Sequence, residues 1–107
     1  MKNVVVIGQG YVGLPVSIAA ATAGFKVSGL DKNTDKVKAL NLGRSNVEDI
    51  SDSELNKCLN SGKYHATEDY SVIKNADIIN TFSVEYILLK KIYTLLQSII
   101  VLHFLER

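Results

Sequence analysis

Residues 4–15 read VVVIGQGYVGLP. Three valines and an isoleucine run into Gly8, Gly10 and Gly13, and the glycines run into Leu14 and Pro15. Residues 4–7 show no apolar–polar alternation, as expected of a parallel strand covered on both faces. Residues 14–23, LPVSIAAATA, form a helix of small residues. Pro15 is tolerated there because the first turn has no use for its missing N–H. A strand, a Gly-x-Gly-x-x-Gly turn and a helix in direct succession form the unit that binds a dinucleotide pyrophosphate. The first glycine permits the tight turn. The second admits a phosphate where a Cβ would collide, and the third lets helix and strand pack closely. The helix N-terminus adds free N–H groups and a partial positive charge.

Such a site also needs an acidic residue at the end of the second strand, roughly 20 residues on. Residues 26–30 are that strand, and Asp31 stands at its end, 18 residues beyond Gly13. Its carboxylate can accept both ribose hydroxyls of NAD and would repel the 2′-phosphate of NADP, so NAD is the expected cofactor. The tight βα turn alone would explain three glycines. Strand, helix and Asp31 in register favour the cofactor reading.

The rest of the chain continues the alternation. Gly24 ends the first helix as a C-terminal cap. Asn33 or Thr34 can cap a second, running through Leu42 and closed by Gly43. Residues 44–50 are a loop. Ser51 and Glu54 have capping-box spacing, so a third helix is expected to about Asn60, with Leu55, Cys58 and Leu59 on one face. Gly62 stops it, and residues 64–67 form a third strand. A short helix or turn follows over 69–75, and a fourth strand starts at 76–79. The implied architecture is α/β: a Rossmann-like parallel sheet with flanking helices and right-handed crossovers, truncated, followed by an apolar helical tail.

Composition bounds the rest. A chain of 107 residues suits one small domain. A net charge of +1 gives no electrostatic footprint for nucleic acid or an anionic membrane. The lone Cys58 cannot form an internal disulfide, which fits a reducing, cytoplasmic setting. It is expected to pack in the core. The N-terminal apolar run is too short for a signal peptide. The tail carries Lys90 and Lys91, and its uninterrupted part, 92–105, is shorter than the roughly 20 residues of a membrane span. His65 and His103 have no partners at metal spacing, so no metal site is expected. Tyr64, Tyr70 and Tyr86 are expected to pack with their hydroxyls toward water. Lys36, one turn into the second helix, can reach the adenosine side of a cofactor or stay solvated.

GQGYVGLP, then AGFKVSGLDKNTDKVKALNLG and SNVEDISDSEL, resemble the N-terminal part of the UDP-glucose/GDP-mannose dehydrogenases. The VEDIS segment is most similar to the branch acting on UDP-N-acetylhexosamines. The resemblance covers about residues 1–79. It implies that the backbone of Gly10, Tyr11 and Val12 cradles the pyrophosphate, that Asp31 takes the ribose, and that Lys36 contacts the adenosine end. The full family enzyme oxidises the C6 alcohol of a UDP-sugar to the uronic acid with two NAD molecules in succession. Beyond Ile79 the resemblance stops: Asn80-Thr81-Phe82-Ser83 stands where the family has a Pro-Thr-Pro-like turn. The family's catalytic cysteine has no counterpart, and Cys58 does not correspond to it. The expected organisation is an NAD-binding part over 1–82 and a divergent helical tail over 83–107. That organisation implies a truncated dehydrogenase fragment, expected to be inactive alone, with no catalytic residue of its own. Its tail must pack on the domain or pair two copies into a homodimer. The other reading is a stand-alone dinucleotide-binding or dimerising module without catalysis.

Overall fold

The computed structural model describes residues 2–81 and, in the tail, the helical positions 92 and 95–97. The expected tail helix over 83–107, the homodimer through it, Tyr86 and His103 lie outside the described residues.

Four strands form one wholly parallel sheet. They are β1 (Asn3–Ile7), β2 (Lys26–Leu30), β3 (Tyr64–Thr67) and β4 (Ile78–Thr81), in the order β3-β2-β1-β4. Helix α1 (Gly13–Thr22) links β1 to β2. Helices α2 (Thr34–Asn41) and α3 (Asp52–Asn60) link β2 to β3. From β1 the chain steps outward twice, then returns across the sheet through a 3₁₀ turn (Tyr70–Asn75) to place β4 on the other side of β1. The direction of travel therefore reverses at β1, and the crevice of a doubly wound sheet opens there, at the carboxyl ends of the strands.

Strand alternation divides the sheet into two faces. Val4, Val6, Val27, Tyr64 and Ala66 join Leu14, Ile18, Ala21, Val37, Leu40 and Leu55 in one core under the three helices. On the opposite face Val5, Ser28 and His65 line a groove with Val72 and Asn75 of the 3₁₀ turn. The buried residues of α1 are Gly13, Leu14, Ser17, Ile18 and Ala21, a stripe of i, i+4 pairs. Its small residues let the helix sit low on β1 and β2.

The expected punctuation is present. Asn33, rather than Thr34, caps α2 by accepting the N–H of Lys36 at 3.1 Å. Ser51 caps α3 by accepting the N–H of Glu54 at 3.1 Å, and its hydroxyl donates to the Glu54 carboxylate at 3.2 Å. Gly24, Gly43 and Gly62 follow the three helices with φ of 103°, 82° and 74°, the left-handed backbone that favours glycine. Cys58 is buried against α1. The fourth strand, Ile78–Thr81, starts two residues later than the sequence suggests, because Asp77 is spent at its entrance. The Asp77 N–H donates to the Asn3 carbonyl at 2.8 Å, and its carboxylate accepts the Asn3 N–H at 2.8 Å.

Tyr64 corrects one expectation. Its hydroxyl does not face water: the residue is buried, and the hydroxyl donates to Oε1 of Gln9 at 2.8 Å. As the first residue of β3, Tyr64 points to the helix-covered face, and a phenol buried there needs a partner. Tyr70 is exposed as expected.

Candidate functional site

The site is assembled where β1 and β2 end. Gly8 follows Ile7 with φ 91°, and its N–H donates to the Leu30 carbonyl at 2.7 Å, which ties the start of the loop to the end of β2. The loop then rises to Gly10. A Cβ built on Gly10 would meet nothing within 4 Å, so the space above the second glycine is open. A Cβ on Gly13 would stand 2.8 Å from the Gly8 carbonyl carbon and closer still to its oxygen. The three glycines thus do different work: Gly8 turns the chain, Gly10 leaves room, and Gly13 lets α1 begin against β1.

Helix α1 starts at Gly13 with no side-chain cap and no acidic residue in its first turn. The Leu14 N–H donates to the Gly10 carbonyl at 3.1 Å, the Val16 N–H to the Val12 carbonyl at 3.3 Å, and Pro15 has none, so the free donors are those of Tyr11, Val12 and Gly13, and the helix dipole adds positive potential there. Tyr11 and Val12 are 73% and 41% exposed, so the backbone between the second and third glycines faces outward. Open space and free donors together fit a pyrophosphate.

Asp31 stands beside this loop. Its Oδ2 accepts the Gln9 N–H at 2.9 Å and the Lys36 ammonium at 3.3 Å, and its Oδ1 accepts the Asn33 N–H at 3.0 Å. Burial pushes the Asp31 carboxyl up. The N–H groups of Gln9 and Asn33 and the charge of Lys36 outweigh it, so the group is held below the usual carboxylate value. It is therefore ionised at neutral pH. Each carboxylate oxygen has about two acceptor positions, so Oδ1 can take one further hydroxyl. Withdrawal of Lys36 from Oδ2 would free a second.

The structure brings Gly8, Gly10, Tyr11, Val12, Gly13, Asp31 and Lys36 to one edge of the sheet, as the sequence suggests. Residues that sequence reasoning passed over also support it. The Asn46 amide donates to the Gln9 carbonyl at 3.0 Å and fastens the 44–50 loop to the glycine loop. Gln9 itself is wholly buried beneath the turn. A glycine inside a strand, Gly29, was the one available signal of close approach there. Among the described residues no three His, Cys, Asp or Glu side chains gather as a metal site, and no helix is long and apolar enough to cross a membrane.

A four-stranded parallel sheet with a glycine turn at β1 and a fixed carboxylate at β2 defines the dinucleotide-binding half of a Rossmann fold. Comparison with known proteins identifies which one. Residues 2–84 match the NAD binding domain of the UDP-glucose/GDP-mannose dehydrogenase family, and the chain belongs to that family. The match runs a few residues past Ile79, where the resemblance was expected to stop. A UDP-N-acetyl-D-mannosamine dehydrogenase of Pyrococcus horikoshii is 32% identical over 77 residues, 71% of this chain and 18% of that protein. An uncharacterized protein of Methanocaldococcus jannaschii is 41% identical over 78 residues, 72% of this chain and 9% of that one. The chain therefore spans under a fifth of the length of these curated relatives. Among solved structures, a GDP-mannose dehydrogenase of Pseudomonas aeruginosa superposes with a TM-score of 0.72 at 25% identity, covering 78% of this chain and 19% of that one. The Pyrococcus horikoshii UDP-D-ManNAc dehydrogenase superposes with the same TM-score of 0.72 at 29% identity, covering 76% and 20%.

Proposed function

We propose that this chain binds NAD through the backbone of Gly10, Tyr11 and Val12, with Asp31 on the adenosine ribose. It thereby serves as the cofactor half of a UDP-sugar 6-dehydrogenase. The observation that carries this reading is the open space over Gly10 beside an ionised, three-point-anchored Asp31. The VEDIS segment and the Pyrococcus relative favour a UDP-N-acetylhexosamine as the substrate of the complete enzyme.

The bound nicotinamide would accept hydride from the C6 carbon of the sugar. The residues of this chain bind and orient. The α1 N-terminus neutralises the pyrophosphate, and Gly8 and Gly13 hold the loop at the height the phosphates need. Asp31 accepts ribose hydroxyls and disfavours a 2′-phosphate by like charge. Lys36 pairs with Asp31 and lies within reach of the adenosine end. Cofactor binding, not turnover, is assigned to these 107 residues. None of the seven supplies a nucleophile or a general base for the sugar.

Calorimetric titration of the full chain with NAD, then NADP, tests the reading. Saturable NAD binding, weaker NADP binding and loss of the NAD signal in Asp31→Ala are expected. No heat with either nucleotide would overturn it.

A further inference from the structure

The glycine loop rests on a wholly buried amide. A glutamine carboxamide has two N–H donors and two acceptor positions, and Gln9 uses all four. Its Nε2 donates to the carbonyls of Val6 at 2.9 Å and Gly8 at 3.2 Å. Its Oε1 accepts from the hydroxyls of Ser17 at 3.0 Å and Tyr64 at 2.8 Å. The two carbonyls can only accept, which fixes the orientation of the amide. Space is reserved for it by Gly29 of β2, where a Cβ would stand 2.6 Å from both Gln9 Cδ and the Tyr64 hydroxyl.

The main chain of the same residue lies in the loop. Its N–H donates to Asp31 at 2.9 Å and its carbonyl accepts from Asn46 at 3.0 Å. One residue thus joins β1, α1 and β3 through its side chain, and aims the candidate ribose-binding carboxylate through its backbone. A buried amide serving packing alone would need only to be satisfied. This one also holds the Gly8 carbonyl through its side chain and carries the donor to Asp31 in its own backbone.

We propose that Gln9 is a positioning residue for the dinucleotide, and that Tyr64 on the third strand sets cofactor affinity through it, without touching the cofactor. This rests on the reading that the glycine loop binds NAD. Tyr64→Phe is the incisive variant: it keeps the ring, removes one bond to Oε1, and leaves three bonds to hold the fold. NAD binding to the full chain would be measured well below the melting temperature of every variant. Leu55→Val, in the core under α3, serves as the control of comparable stability loss.

NAD affinity is expected to fall in Tyr64→Phe, by at most about fivefold, the limit set by one neutral hydrogen bond, and further in Tyr64→Phe/Ser17→Ala. Leu55→Val is expected to bind as the wild type does. Equal affinity in Tyr64→Phe and the wild type, with only the melting temperature lowered, would reduce Gln9 to a packing role and overturn the proposal. A wild-type chain that binds no NAD would instead refute the underlying reading of the loop, and the proposal with it.

Discussion

Gly10 and Gly13 belong to one motif, yet the geometry assigns them opposite responses to the same substitution. In Gly13→Ala the new methyl carbon would stand 2.8 Å from the Gly8 carbonyl carbon and closer to its oxygen, against an ordinary contact of 3.4–4 Å. One backbone or the other must retreat, by more than about 1 Å at the oxygen. Neither can do so freely. Gly8 is held to Leu30 through its N–H at 2.7 Å and to the Gln9 side chain through its carbonyl at 3.2 Å. Gly13 is the first residue of a helix whose inner face, Gly13, Leu14, Ser17, Ile18 and Ala21, is buried. Overpacking of this kind costs about 1–3 kcal/mol, and backbone against backbone belongs at the upper end. In a domain this small each kcal/mol lowers the melting temperature by about 4–8 °C, so a fall of roughly 10–20 °C is expected. In Gly10→Ala the methyl meets nothing within 4 Å, and Gly10 is not among the positive-φ glycines. Alanine there fits the backbone and restricts the unfolded chain, so stability should hold or rise by about 0.4–1 kcal/mol. The methyl instead fills the space assigned to a phosphate, and a clash of about 1–3 kcal/mol there weakens NAD binding by about fivefold or more. Thermal unfolding followed by circular dichroism and NAD titration, run on both variants, separate the effects. Wild-type NAD affinity in Gly10→Ala would refute the placement of the pyrophosphate, and an unchanged melting temperature in Gly13→Ala would refute the packing of α1 on β1.

Two further predictions concern the supports of the site. The Asp31 carboxyl is held below its ordinary value in the fold, so its contribution is fully present above the unfolded value near 3.8 and is lost as pH falls through the folded one. Melting temperatures of the wild type and Asp31→Asn should therefore converge on acidification below about pH 4, and parallel curves down to pH 2.5 would show that Asp31 is not held as its contacts imply. Asn41, at the end of α2, pairs with the outer edge of β3: its amide donates to the Ala66 carbonyl at 2.8 Å and accepts the Ala66 N–H at 2.9 Å. Asn41→Ala leaves both backbone groups of a buried residue without that partner and should cost about 1–3 kcal/mol, read as a lower urea midpoint with unchanged slope. No shift in midpoint would mean that water replaces the amide without loss.

What the sequence discloses here follows from how local each signal is. The glycine turn, Asp31 and the Ser51 cap are readable because each works on its own neighbours or at a fixed distance set by a strand and a helix. The parallel sheet is readable from the alternation, but the order β3-β2-β1-β4 is not, because right-handed crossovers are compatible with β4 beside β3 as well as beside β1. Tyr64 was misread because its environment comes from a residue 55 positions away. Nothing in YHAT distinguishes a phenol that meets water from one that meets a buried amide. Gln9 was hidden for the complementary reason: a glutamine between two glycines looks like a solvated loop residue until β3 and α1 close over it. Asn46, in a loop with no regular structure, reaches the site only because α2 returns the chain to it.

This contrast bears on how the site is built. Apart from Lys36 on α2, everything assigned to touch the cofactor comes from β1, the turn after it, α1 and the end of β2, a contiguous stretch that local rules can shape. What fixes those parts against one another comes largely from farther away: Tyr64 on β3 and Asn46 on the 44–50 loop. The third strand and α2 contribute no proposed ligand contact beyond Lys36, yet the loop geometry depends on them. Cofactor affinity is then a property of the folded half-sheet as a unit. A peptide carrying only the glycine turn and Asp31 would possess every group assigned to bind NAD except Lys36, and would lack the Gln9–Tyr64 contact that sets their spacing.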